Sequence, residues 1–158
     1  MSKEYVTALK ESLEKKVKVL EETYRICQMQ SDIVNDREFD FERFDSLMDD
    51  KDICIENLDK LDEGFEIVYQ RVQDELKANP GEYSSLIGQM KELITQITEI
   101  STSINALEER IKTGVSDAFI KERKGMAESK RSVNVAMNYY KNMAGLNIPD
   151  SMYMDKKK

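Results

Sequence analysis

Apolar residues return every seven positions along three successive stretches of this 158-residue chain. In the first, Val6, Leu13, Leu20, Cys27 and Val34 form an unbroken row, widened by Leu9, Val17 and Tyr24. In the second, Phe44, Leu58, Phe65 and Val72 share a row that Lys51 interrupts, with Leu47, Cys54, Leu61 and Val68 beside it. In the third, Tyr83, Met90, Ile97, Ile104 and Ile111 line up alongside Leu86, Leu93, Ile100 and Leu107. A seven-residue repeat gathers such side chains on one stripe of an α-helix, and a lone helix cannot hide that stripe from water. The chain must pack helix on helix. Six glycines and two prolines are also too few for the turns of an all-β protein.

The breaks between rows are legible. Asn35-Asp36-Arg37-Glu38-Phe39-Asp40 separates the first two, and Asp36 or Asp40 can cap the helix that follows. Asn79-Pro80-Gly81-Glu82 reads as a helix start: Asn79 at the cap, Pro80 at the first position and Glu82 closing a capping box. Ala78 and Tyr83 take the matching hydrophobic-staple positions. Helices are expected near 3–36, 41–77 and 80–113, each roughly 50 Å long at 1.5 Å per residue. Similar lengths and short loops imply antiparallel neighbours.

Beyond Ile111 the pattern thins. Gly114 and Gly125 each cost about 1 kcal/mol relative to Ala inside a helix, and Lys121-Glu122-Arg123-Lys124-Gly125 is polar throughout. Either the third helix overhangs the others, or the chain turns near Gly114 and a fourth helix folds back. The sparse apolar face favours the overhang. Gly145 suits a helix stop and Pro149 forbids ready continuation. The expectation is an all-α fold: an elongated antiparallel bundle of three long helices with an extended or folded-back C-terminal helix. Residues 1–144 form the bundle domain and 145–158 a mobile tail.

Charge and residue usage narrow the function. Net charge is −7, with −9 on residues 1–79 and +2 on residues 80–158. The acidic half repels nucleic acid and anionic lipid, so neither is expected as a main partner. The basic end, with nine bases and four acids over 121–158, lacks the dense runs and interleaved aromatics of a nucleic-acid site. The start, Met1-Ser2-Lys3-Glu4-Tyr5, has no apolar stretch of a signal peptide. Leu93 to Leu107, the least charged stretch, contains Glu99 and is threaded with Thr, Ser, Gln and Asn, which no membrane span tolerates. Two cysteines make no disulfide framework, so a soluble protein of the reducing cytoplasm is expected.

Catalytic options are few. Histidine is absent, which removes every His-based acid, base, nucleophile pair, metal ligand and phosphotransfer group. No Walker A or dinucleotide fingerprint occurs. Asp45, Asp49, Asp50 and Asp52 cluster like cation ligands, but they lack the alternation, glycine and closing Glu of a calcium loop and fit a solvated helix face better. Cys27 and Cys54 lie on apolar rows, where a small core residue is a better reading than a nucleophile. No enzyme, metal or cofactor is expected.

What remains is binding. Five of the nine methionines fall within residues 126–154, and Met-rich surfaces repack against varied apolar partners. Met126, Val133, Met137, Tyr140 and Met143 recur at helical spacing, followed by Leu146, Ile148, Met152 and Tyr153 in the tail. These nine are the expected partner-binding residues, a face for an amphipathic segment docked helix in groove. The competing readings are packing on the bundle itself and self-association, as a homodimer, of a structural coiled coil.

The run from Asp40 to Asp52, followed by Leu58, Leu61 and Phe65, resembles the FlgN-type flagellar export chaperones, with Lys51 at the position of a lysine in the family's helix pattern. The close Met152-Tyr153-Met154-Asp155-Lys156-Lys157-Lys158 is similar to the ending of some members. The resemblance implies a small cytoplasmic secretion chaperone that needs no nucleotide. It implies clients among the hook-filament junction (hook-associated) proteins, kept from premature assembly and delivered to the export apparatus. The partner-binding region would then lie towards the C-terminus. FliT-type chaperones share this helical style, which makes the filament-cap protein the rival client.

Overall fold

The computed structural model describes residues 2–122, which form three helices: α1 (Ser2–Asn35), α2 (Phe41–Ala78) and α3 (Ser84–Glu122). They run 34, 38 and 39 residues, or roughly 50–60 Å each. The all-α expectation holds for these residues. Residues 123–158, with the expected edge of the bundle at 144 and the expected tail from 145, lie outside the described residues.

The leading row of each segment is buried over most of its length. Val6, Leu13, Leu20 and Cys27 of α1, Phe44, Leu58, Phe65 and Val72 of α2, Tyr83 just before α3, and Met90, Ile97, Ile104 and Ile111 of α3 share one core. Burial of these stripes is the main force holding the helices together, at about 25 cal/mol per Å² of apolar surface.

The two connections differ in what they do. Asp40 caps α2: its carboxylate accepts from the Arg43 amide at 3.1 Å, satisfying a donor that has no partner within the helix. Phe39 before the cap lies 5.2 Å, ring to ring, from Phe44 in the first turn, the hydrophobic staple that sets the entry angle. The second connection departs from expectation. Asn79 does not start α3; it ends α2, its amide donating to the Glu75 carbonyl at 3.0 Å. Residues 80–83 form a turn closed by the Glu82 amide on the Asn79 carbonyl. Helix α3 begins at Ser84, and Tyr83 accepts its first bond, from Ile87 at 2.8 Å. The capping box is not formed because Asn79 is already committed, through its backbone and side chain, to Glu75.

Helix α1 is central. Both α2 and α3 pack along it, whereas α2 and α3 scarcely meet through their backbones. Lys16 meets Asp62 and Tyr5 meets Arg71, so α1 and α2 are antiparallel. Cys27 meets Glu108 and Val34 meets Gly114, so α1 and α3 are parallel. Consecutive helices do alternate in direction, but α3 passes over its sequence neighbour to pack on α1.

Gly114 is no turn. Helix α3 runs through it to Glu122, the overhang rather than the reversal. A Cβ at position 114 would stand 2.6 Å from the Cβ of Val34, so the glycine lets α1 and α3 approach closely at their upper ends. Since Val34 lies beside Gly114, α3 outruns the end of α1 by about seven residues, roughly 10 Å.

Candidate interaction surface

The nine expected partner-binding residues, Met126, Val133, Met137, Tyr140, Met143, Leu146, Ile148, Met152 and Tyr153, all lie outside the described residues. The bundle that carries them holds its own polar chemistry inside. Lys51, the interruption in the second row, is fully buried. Its Nζ lies 2.5 Å from Glu108 Oε1, and the Cys27 thiol donates to the same oxygen at 2.9 Å. One residue from each helix therefore meets at a single carboxylate. A second buried lysine, Lys16, reaches Asp62 at 2.6 Å across the α1–α2 seam.

This arrangement makes Cys27 inert. Burial pushes its thiol far above the ordinary value, and the nearby Glu108 adds to that, outweighing the opposing pull of the Lys51 charge. Lys51 is a basic neighbour of the thiol, yet enclosure wins over its charge. Burial likewise raises the Cys54 thiol, against a hydrogen bond from Thr23. Both cysteines are core residues. Asp49, Asp50 and Asp52 are exposed on α2, and burial together with the Asp49 charge raises the Asp45 carboxyl. Among the described residues no three His, Cys, Asp or Glu side chains converge to hold a metal ion. No described helix is long and apolar enough to cross a membrane.

Two surface features follow from this packing. At the upper end, the α1–α2 connection and the last turns of α3 enclose a cleft of about 430 Å³. Val34, Phe39 and Ala118 give it apolar lining, and Asp36, Arg37, Arg110, Asp117 and Lys121 line it with charge. The second feature lies on the flank of α3. The row that packs fully beside Tyr83, Met90 and Ile97 is not Leu86, Leu93, Ile100 and Leu107, as the sequence suggested. It contains instead Ile94, Ser101 and Val115, all buried, with Ile87 and Glu108 partly so. The leucine row is only partly buried, packed against the edge of the core. Composition concealed this: the enclosed row carries Ser101 and Glu108, and the partly buried one carries only Leu and Ile.

The model of the FlgN protein family matches residues 1–113, which are α1, α2 and most of α3. No curated protein and no solved structure matches the chain at a significant level. With well over half of its length under that family model, and a bundle of three long helices as its scaffold, the chain belongs to the FlgN family of flagellar export chaperones.

Proposed function

We propose that this protein is a cytoplasmic export chaperone for hook-associated proteins. It holds them through Met126, Val133, Met137, Tyr140 and Met143, with Leu146, Ile148, Met152 and Tyr153 closing over the client. The observation that carries the reading is the division of labour along the chain. The family match ends at residue 113, close to where α3 passes the end of α1. The matched part is a scaffold whose core is already filled by its own rows. The residues after it carry the largest reserve of methionine in the sequence.

The mechanism is helix-in-groove capture. A client's amphipathic terminal segment, which would otherwise pair with its own kind, buries its apolar face against pliable Met and Tyr side chains. Ordering a segment on binding costs free energy, which keeps affinity moderate and the client releasable at the export apparatus.

The test is calorimetric titration of a purified hook-associated protein into the full chain and into a Val133→Asp/Met137→Asp/Tyr140→Asp variant. A loss of affinity of tenfold or more, with helix content unchanged, is expected. Unchanged affinity refutes the site. The same titration with a filament-cap protein decides between the two client classes.

A further inference from the structure

The outward side of α2 carries a stripe that reads nearly the same in both directions. Asp50, Ile53, Asn57, Lys60, Gly64, Ile67 and Arg71 follow one another at alternating steps of three and four, the spacing that keeps residues on one helix face. All seven are exposed, and the stripe covers roughly 32 Å of helix. From either end the order is a charge, an isoleucine, an uncharged residue and then Lys60 at the middle. The two end charges are opposite. Among the described residues three large apolar side chains stand in solvent, and two of them, Ile53 at 58% and Ile67 at 61%, lie on this stripe. Gly64 has no reason within the chain: a Cβ added there would meet nothing within 4 Å, yet glycine inside a helix costs about 1 kcal/mol relative to alanine. Neither Asp50 nor Lys60 is in an ion pair with a described residue, and Arg71 leans on Tyr5, its guanidinium 5.8 Å from the ring centre.

A stripe of this kind suits a two-fold axis, across which one patch must serve both partners. Set two copies of α2 antiparallel with the axis at residue 60, and Ile53 of one falls opposite Ile67 of the other. At the same register Asp50 falls opposite Arg71, and Asn57 opposite Gly64, whose missing side chain lets the helices come close. Lys60 lies on the axis, where Glu56 and Glu63 of the second copy offset its repulsion with the other Lys60. A parallel pair would instead set Asp50 on Asp50, Lys60 on Lys60 and Arg71 on Arg71. Charge thus selects a second copy and fixes its direction; a foreign helix would need no such symmetry in the stripe. The net charge of −7 opposes self-association, but beyond about 8 Å it is screened at physiological ionic strength, whereas Asp50 and Arg71 meet at contact.

We propose that two chains associate through this face of α2 as an antiparallel pair centred on Lys60. The pairing is independent of the client reading, since it uses residues 50–71 alone. The two-fold sets the α1–α2 connections of the two bundles at opposite ends of the pair. Each chain therefore keeps its upper end uncovered, and the pair carries two such ends facing apart. A seam of one helix against one helix is smaller than an obligate interface, so the association is reversible.

Sedimentation velocity on the full chain without a client, from micromolar to submillimolar protein, tests the pairing. The unaltered chain is expected to pass from monomer to dimer over that range and to go no higher. Asp50→Arg and Arg71→Asp should each weaken self-association at least tenfold, since each sets like charges opposite. Mixed in equal amounts, the two variants should pair with each other about as well as the unaltered chain pairs with itself, because both charge contacts are restored between unlike chains. Ile53→Ser/Ile67→Ser should abolish the dimer with helix content by circular dichroism unchanged. A chain that stays monomeric at submillimolar concentration overturns the proposal. So does a dimer that the single variants leave intact, or a mixture of them that fails to associate. The client titration, which varies Val133, Met137 and Tyr140, succeeds or fails independently of these outcomes.

Discussion

Lys51 on α2 and Glu108 on α3 form an ion pair of 2.5 Å between two helices whose backbones scarcely meet. The lysine is fully enclosed, and 14% of the glutamate side chain is exposed. A buried pair adds little net stability over a well-packed apolar pair, but removing one partner leaves a costly charge. Lys51→Met and Glu108→Leu are each expected to destabilise the protein by about 3 kcal/mol. The double variant should recover most of that loss. Urea unfolding followed by circular dichroism, suited to a chain without Trp, measures the coupling. Purely additive losses would show that the pair does not act as a unit.

At the upper end of the bundle Gly114→Ala pits two effects against each other. Alanine favours helix by about 1 kcal/mol, but its Cβ would stand 2.6 Å from the Val34 Cβ. A Cβ cannot swing aside, so α1 and α3 must separate, at about 1–3 kcal/mol for overpacking. Net destabilisation is expected in a thermal melt. Val34→Ala should not rescue it, because the Cβ–Cβ collision persists.

Cys27 gives a reactivity and a pH prediction. With its folded thiol raised far above the ordinary 9.0 by burial, native protein at pH 8 should resist alkylation at this residue and react only after unfolding. The linkage sign is fixed. The unfolded thiol loses its proton near its ordinary pKa and the folded one does not, so the unfolded state binds fewer protons above about pH 9. Stability must then fall as pH rises past 9. Cys27→Ala should flatten that fall, and an unchanged slope in the variant would place its origin elsewhere.

Asp40→Ala removes the side chain that accepts from the Arg43 amide and should cost about 1 kcal/mol. Asp40→Asn should cost much less, since the amide oxygen can cap in the same way. Asp36→Ala, at a position outside α2, should be nearly silent, which separates the two caps that sequence alone left open.

Much of the fold was readable because helix faces are a local property. Val6 to Cys27 and Tyr83 to Ile111 must share a stripe wherever their helices pack, and they do. Reading failed where residues serve two ends at once. Asn79 has every attribute of a helix start, yet its amide ends α2. Lys51 looked like a fault in a row, and only a carboxylate 57 positions away explains its burial. Of the expected binding residues, none lies within the described residues, and all lie beyond residue 113, where the family match ends.

The sequence by itself determined that the described residues form three long helices with an apolar stripe each, because a seven-residue period gathers side chains on one helix face. It could not determine which stripe faces which. That depended on interactions between distant positions: Gly114 admitting Val34, and Glu108 receiving both Lys51 and Cys27. These contacts set α3 beside α1, bury Ser101 in place of a leucine, and leave Leu86, Leu93, Ile100 and Leu107 only partly buried at the edge of the core. Periodicity is written along a chain; pairing exists only between chain segments already brought together in space.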